Sequence, residues 1–521
     1  MQLTILSTSD THGFVLPTTY SKRGEDQPFS LAKAKTVLDD LRRHADGPTL
    51  TIENGDWLQG SPLAYFAAKV HPDPRLLTAA YDAVGYDAGI IGNHEFNYGA
   101  ANLQDAIATL NYPILCANIL RGKKPAFGKP YQIFERGGAK VAVLGLTTSY
   151  IPHWEGPANI EGLTFVDALQ TAKKWLPRLR KLADVVVIAY HGGFERDLET
   201  GEPTEALTGE NIGYELSQLP GVDALVTGHQ HRELAGLVNG VATTQPGYRG
   251  EDVGKITLTL AQEGLHWRVT DKHAELVKTG HQVPAPQVLA AVATVAPQVE
   301  DWLDAPLGQV IKGDMTITDS FQARVAEHPY IEFINRVEMA ATGTDIAGTA
   351  LFNDDGRGFG QQISMRDVVT NYIYPNTLAV MRLSGADLKA ALEQCAEYFS
   401  LDDHGELAVT QRFLLPKPQQ YNYDMYQGID YTLDIRQPVG RRVVGLRYHG
   451  APVAPTAFYE VTVNQYRAGG GGNFAMFDQS KIVRENQKDM TELIADYLRA
   501  NPKLEATVDH NFKVQGAQCG A

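Results

Sequence analysis

Asp10-Thr-His12, Asp56, Asn93-His94, His191 and His229-Gln-His231 offer carboxylate, amide and imidazole donors, the groups that bind divalent metal ions and activate water. Each cluster follows a short apolar run. Leu3-Thr-Ile-Leu comes before Asp10, Thr49-Leu-Thr-Ile before Gly55-Asp56, and Gly89-Ile-Ile before Gly92-Asn93-His94-Glu95. Asp184-Val-Val-Val-Ile-Ala-Tyr leads into His191-Gly-Gly, and Val222-Asp-Ala-Leu-Val-Thr leads into Gly228-His229-Gln-His231. Asp10 and His12 can aim at one ion, Asp56 can bridge, Asn93, His191 and His229 suit a second ion, and His231 can return to the first. Against four positive charges, two carboxylates leave about two units of positive charge, which suits a phosphate ester. No thiolate joins the set, so a closed structural zinc site is disfavoured.

A lone histidine after a strand is usually a hydrogen-bonded structural residue, and the other ten here, including His44, His153 and His449, are read as surface residues. The conjunction is what carries weight. Five segments in order, three with glycine directly before the donor, are hard to assign to packing alone. The runs are continuously apolar and rich in β-branched residues, which predicts strands buried on both faces of a sheet with the donors at their ends.

The 521 residues exceed what one hydrophobic core usually serves, so two domains are expected. Strand-like runs alternate with helix-like stretches, such as 30–43 and 165–182, up to about residue 275. A connector with Pro284, Pro286, Pro297 and Pro306 follows, with Pro297 expected to kink or divide its helix. The second domain then carries helix candidates at 386–399 and 488–500 and strand candidates at 431–435 and 459–463. Acidic residues outnumber basic ones by 61 to 46, a formal charge of -15, which argues against nucleic acid polymers as partners. No apolar run approaches the roughly 18 residues of a membrane span. The N-terminus carries no leader pattern, so the expected location is the cytoplasm, or outside it if a leader has been removed. Cys116, Cys395 and Cys519 fit no metal or redox spacing, with Cys395 expected in a core helix and Cys519 free and exposed.

With Asp10-Thr-His12-Gly, Gly55-Asp56, Gly92-Asn93-His94-Glu95-Phe96, His191-Gly-Gly and Gly228-His229-Gln-His231, the chain resembles the calcineurin-like metallophosphatases. More closely it resembles the two-domain 5'-nucleotidase and 2',3'-cyclic-nucleotide 2'-phosphodiesterase family. The implied fold is α/β: a four-layer αββα metallophosphatase domain (1–275), a helical linker or hinge (276–306), and a C-terminal α/β (α+β) nucleotidase domain (307–521). The resemblance implies that Asp10, His12, Asp56 and His231 hold one divalent ion and Asp56, Asn93, His191 and His229 the other, with Zn, Mn, Fe or Co all compatible. It also implies that His94 is the catalytic histidine.

Where the 5'-nucleotidase branch has Asp three residues after that histidine, this chain has Asn97. Asn can accept a hydrogen bond from the imidazole but cannot offset its charge. The Asn form resembles the branch that opens 2',3'-cyclic nucleotides and then removes the 3'-phosphate. The tract from Tyr421 through Phe474 is similar to the same branch, which implies Tyr374 and Tyr466 as plates for the base and Asn376 as a base contact. Gly472 stands where the 5'-nucleotidase branch tends to have Asp. The substrate is thus expected to be a small nucleotide held between the domains, with hydroxide on the metals attacking phosphorus and His94 assisting. A 5'-nucleotidase or nucleotide-sugar hydrolase is the alternative on the same scaffold, and a catalytically silent nucleotide sensor is the alternative of another class. Nothing in the sequence sets the oligomeric state.

Overall fold

The computed structural model describes every residue except 206, 416, 487 and 517–521, so Cys519 lies outside the described residues. Two compact units form. The first comprises Met1–Pro152 and Pro157–Glu300, the second His153–Gly156 and the chain from Asp301. In the connector region, helices Pro286–Val292 and Ala296–Leu303 are separate. Pro297 is the second residue of the latter, where its missing N–H breaks no helical bond.

In the first unit, strands β1 (Gln2–Thr8), β2 (Thr49–Glu53) and β3 (Ala88–Ile90) run parallel with Ile114–Leu115. Antiparallel strands Asp252–Glu263 and His266–Lys278 extend that sheet beyond β1. A second sheet places β4 (Val185–His191) and β5 (Ala224–Val226) parallel to each other, with Ala139–Thr147 and Val241–Pro246 parallel beside them. Its outer strands, Tyr131–Arg136 and Glu233–Val238, are antiparallel.

Alternation along β4 explains the unbroken apolar run. Val185, Val187 and Ala189 meet Leu3, Ile5, Leu50 and Ile52 in one core between the sheets. Val186, Ile188 and Tyr190 face the other way, against Ala172, Leu176 and Leu179 of helix Ala168–Leu182. With both faces covered, β4 keeps apolar side chains from Val185 to Ala189 and places His191 at its very end. The predicted αββα layering follows from this arrangement.

Among the described residues, the main sheet of the second unit has the order β8, β6, β9, β7 and Ile482–Asn486, where β6 is Ala347–Ala350, β7 Leu378–Ser384, β8 Asp424–Gln427 and β9 Phe458–Asn464. Helix Gly385–Ala396 starts at a capping box of Ser384 and Asp387 and buries Cys395, as expected of a core residue. The predicted helix near the C-terminus is Met490–Ala500. No helix of the described residues is long and apolar enough to cross a membrane.

Candidate metal centre and nucleotide platform

All five donor segments leave the C-terminal ends of parallel strands. Asp10 lies two residues beyond β1, Asp56, Asn93 and His229 each three beyond β2, β3 and β5, and His191 is the last residue of β4. Two donor groups result: ligand atoms of Asp10, His12 and His231 converge within 4.8 Å of one another, as do those of Asp56, His191 and His229. Asn93 joins the second group through its Oδ1, 2.8 Å from His229 Nδ1. Asp10, Asp56 and His191 are fully buried, while His231 keeps part of its surface.

The backbone turns sharply to bring these donors inward. Asp10, His12, Asp56, His229 and His231 all have φ between 50° and 70°, the left-handed region. Asp and His tolerate that conformation better than most residues, but it still strains the chain. At Gly92 the approach is tight: a Cβ there would stand 2.2 Å from Asp56 Oδ1.

The hydrogen bonds decide which nitrogen of each ring faces inward. His191 Nδ1 donates to the Asn54 carbonyl at 2.7 Å, and His12 Nδ1 to the Gln59 carbonyl at 2.9 Å. With that tautomer, Nε2 of each neutral ring carries a lone pair. His191 Nε2 then faces Asp56 Oδ2 at 3.2 Å, and His12 Nε2 faces His231 Nε2 at 3.1 Å. With the His191 ring neutral, neither Asp56 Oδ2 nor His191 Nε2 has a hydrogen-bond donor among the described residues, although both are buried. Acceptors facing acceptors in a dry site need a cation between them, and the oxygen and imidazole set fits a divalent metal.

Electrostatics agree. Burial opposes charge on His191, yet Asp56 and Asp10 lift it to about 10; in the absence of metal a proton supplies the missing positive charge. Burial would raise Asp10 and Asp56, but the neighbouring histidines hold both carboxyls below the usual range. Burial pushes His12 down to about 4, leaving it neutral and able to ligate.

His94 begins a turn just beyond Asn93, its N–H bonded to Asp56 Oδ1 at 2.8 Å. Its Nδ1 lies 2.7 Å from Asn97 Oδ1, which places the lone pair of the neutral ring on Nε2. The His94 and His12 rings meet edge to face at 5.3 Å, so His94 stands at the rim of the donor cluster.

In the second unit, β7 and β9 are antiparallel with Leu378 opposite Asn464, so Tyr374-Pro-Asn376 and Tyr466 emerge at the same sheet edge. Gln465 N donates to the Thr377 carbonyl at 2.9 Å and ties the two segments together. Tyr374 packs edge-on against Phe352, and Tyr466 against Tyr421. Both tyrosines and Asn376 are half-buried. Glycine is required beside Tyr466: a Cβ at Gly471 would stand 2.6 Å from its ring, and one at Gly472 2.2 Å from Asn422 Oδ1.

Residues 3–233 match the calcineurin-like phosphoesterase family model and residues 307–479 the 5'-nucleotidase C-terminal domain model. A Staphylococcus aureus structure, described as a candidate 5'-nucleotidase in complex with alpha-ketoglutarate, is 39% identical with a TM-score of 0.91, covering 99% of this chain and 100% of that one. The chain belongs to this two-domain family of calcineurin-like phosphoesterases. It is a metal-dependent phosphoric ester hydrolase. Within the family, a 2',3'-cyclic-nucleotide 2'-phosphodiesterase/3'-nucleotidase of Yersinia enterocolitica is 28% identical over 99% of this chain and 88% of its own length. The protein of the same description from Haemophilus influenzae is 28% identical over 98% of this chain and 86% of its own.

Two residues of this phosphoesterase matter in ways that sequence reasoning missed. Glu95 is fully buried and accepts four backbone N–H bonds, from Gly92 at 2.6 Å, Asp56 at 2.8 Å, Trp57 at 2.7 Å and Leu58 at 2.9 Å. One carboxyl thus fixes the loops after β2 and β3. Arg467 is equally buried: Nε lies 2.6 Å from Asp424 Oδ2, and Nη2 reaches the Tyr421 carbonyl at 2.9 Å and Asp424 Oδ1 at 3.1 Å. A further bond to the Gly471 carbonyl anchors the glycine loop. Glu95 was in view only as part of a motif, and Arg467 only as the residue after Tyr466 in the tract from Tyr421 through Phe474.

Proposed function

We propose that this hydrolase opens 2',3'-cyclic nucleotides to 3'-nucleotides and then removes the 3'-phosphate, using two divalent ions. Asp10, His12, Asp56 and His231 would hold one ion and Asp56, Asn93, His191 and His229 the other. Bound there, the ions supply Lewis acidity toward the phosphoryl oxygens and lower the pKa of water to near neutrality. The protein groups do the rest. His94, oriented through Nδ1 by Asn97, presents Nε2 to carry a proton at the leaving ribose oxygen. Tyr374 and Tyr466 would stack on the base, and Asn376 would contact its edge.

The observation that carries the cyclic reading is the 2.7 Å bond between His94 and Asn97. A neutral amide leaves the imidazole less basic than a carboxylate would. A five-membered cyclic phosphate is strained and opens with less help from a proton donor, so an imidazole that holds its proton less firmly suffices for that step. Gly472, where a side chain would strike Asn422, supports the same branch, as do the descriptions of the relatives from Yersinia and Haemophilus. The second reading is a 5'-nucleotidase, favoured by the description of the Staphylococcus aureus relative.

Phosphate release from 2',3'-cyclic AMP (scored with added phosphatase for the ring-opened product), 3'-AMP and 5'-AMP, with and without chelator, separates the two. The expected result is chelator-sensitive turnover of the first two, with 5'-AMP a poor substrate. Efficient turnover of 5'-AMP alone would transfer the assignment to the second reading. Tyr466→Ala should remove roughly 1 to 3 kcal/mol of stacking, weakening nucleotide binding about five- to 150-fold while leaving metal content unchanged. Calorimetric titration with a nucleotide measures this, and an unchanged affinity would end the plate assignment.

A further inference from the structure

We infer that Glu210 is the positioning residue of the second ion, acting through the ring of His229; this rests on the two-ion reading above. His229 Nε2 lies 2.8 Å from Glu210 Oε1, and its Nδ1 lies 2.8 Å from Asn93 Oδ1. Glu210 belongs to neither group of converging ligand atoms, and the nitrogen it engages is the one opposite the nitrogen that meets Asn93. The Nε2–H bond to Glu210 therefore selects the tautomer that leaves a lone pair on Nδ1, facing the Asn93 carbonyl oxygen. That is the same confrontation of acceptors seen between His191 and Asp56, and it points to the same ion.

Of His12, His191 and His229, the first two are oriented by backbone carbonyls, whereas His229 is oriented by a carboxylate. An anionic partner makes the imidazole a stronger donor to the metal than a neutral carbonyl does. Glu210 is itself held in place. Its carbonyl accepts hydrogen bonds from Thr148 Oγ1 at 2.7 Å and Tyr190 OH at 3.0 Å, which ties its backbone to the end of β4. Its side chain keeps 32% of its surface exposed, so it stands at the edge of the site and is not a buried structural charge. His229 is fixed independently by its own N–H, bonded to both Asp10 oxygens at 3.0 Å. Removing Glu210 should therefore free the ring without displacing the loop.

The test is metal stoichiometry and affinity of the full chain, wild type against Glu210→Ala and Glu210→Gln, by titration of metal-free protein with Co2+ or Mn2+. For Glu210→Ala the expectation is a loss of about 10- to 100-fold in affinity for one ion only, with the other bound as in wild type. Glu210→Gln, which still accepts the Nε2–H bond, should recover part of the loss. The thermal midpoint of the metal-free proteins should be equal. Two wild-type-like affinities in Glu210→Ala would overturn the assignment of Glu210. So would equal weakening of both ions together with a lowered metal-free midpoint, which would indicate a structural role. A wild-type protein that binds only one ion would instead defeat the two-ion reading, so the two failures are told apart.

Discussion

Asp56 is the carboxylate on which the proposed residue-scale chemistry depends. Its Oδ2 faces His191 while its Oδ1 accepts the N–H of His94, so one side chain serves the proposed bridge and the placement of the acid. General acid catalysis typically contributes about 10² to 10⁴ in rate, a small part of what phosphate ester hydrolysis requires. Asp56→Asn should therefore abolish turnover and metal retention together, whereas His94→Ala should lose about 10² to 10⁴ in kcat and keep its metal. Elemental analysis beside steady-state kinetics checks both, and equal residual turnover at saturating metal would contradict the ranking. The strands that carry the candidate donors were legible from the sequence, because each donor follows a short, continuous, β-branched apolar run of the kind that fits a buried strand. The donors' left-handed backbone was not: only the glycines at 55, 92 and 228 hinted at tight turns. Glu210 was hidden as well, since its loop has no periodicity and its partner lies 19 residues away in sequence.

At the scale of elements, strands fix where the chemistry sits and loop anchors fix how well. Placing Tyr374 and Tyr466 at one sheet edge follows from the antiparallel pairing of β7 with β9, yet the sequence offered those tyrosines only through family resemblance. A half-buried tyrosine beside a glycine run looks the same whether it stacks on a base or closes a core. Arg467 separates good placement from poor, because it joins Asp424, the Tyr421 carbonyl and the Gly471 carbonyl beneath Tyr466. Asp424→Asn would leave that buried guanidinium without its counter-charge, a change that typically costs about 3 to 5 kcal/mol. The expected outcome is a lowered thermal midpoint with weaker nucleotide binding, while metal content stays at the wild-type level. Differential scanning calorimetry reads the first and metal analysis the last.

For the molecule as a whole, the two units respond to different variables. Because the donors converge only in the folded first unit, a metal that they hold stabilises that unit by mass action, and the metal-free form is the less stable. Chelation should lower the unfolding temperature of the first unit and leave that of the second unchanged, as two calorimetric transitions would reveal. The second unit carries its own sensitivity in Glu338, fully buried and beside Thr349, whose carboxyl is pushed well above the ordinary value chiefly by burial, with Asp424 adding to the shift. A carboxyl raised on folding binds its proton more tightly in the native state. It contributes stability below the unfolded value of 4.5, and that contribution is lost as pH rises toward the folded value. Glu338→Gln should thus unfold at a higher temperature than wild type near neutral pH, the gap shrinking toward pH 4. A gap independent of pH would rule out the carboxyl as its source.

Glu95 gives the fold one further property. Because a single carboxyl gathers the amides of Gly92, Asp56, Trp57 and Leu58, the stretches after β2 and β3 cannot open separately without stranding a buried acceptor. The rim of the donor cluster is in effect a knot tied at one point, so deuterium should enter those four positions at a common rate.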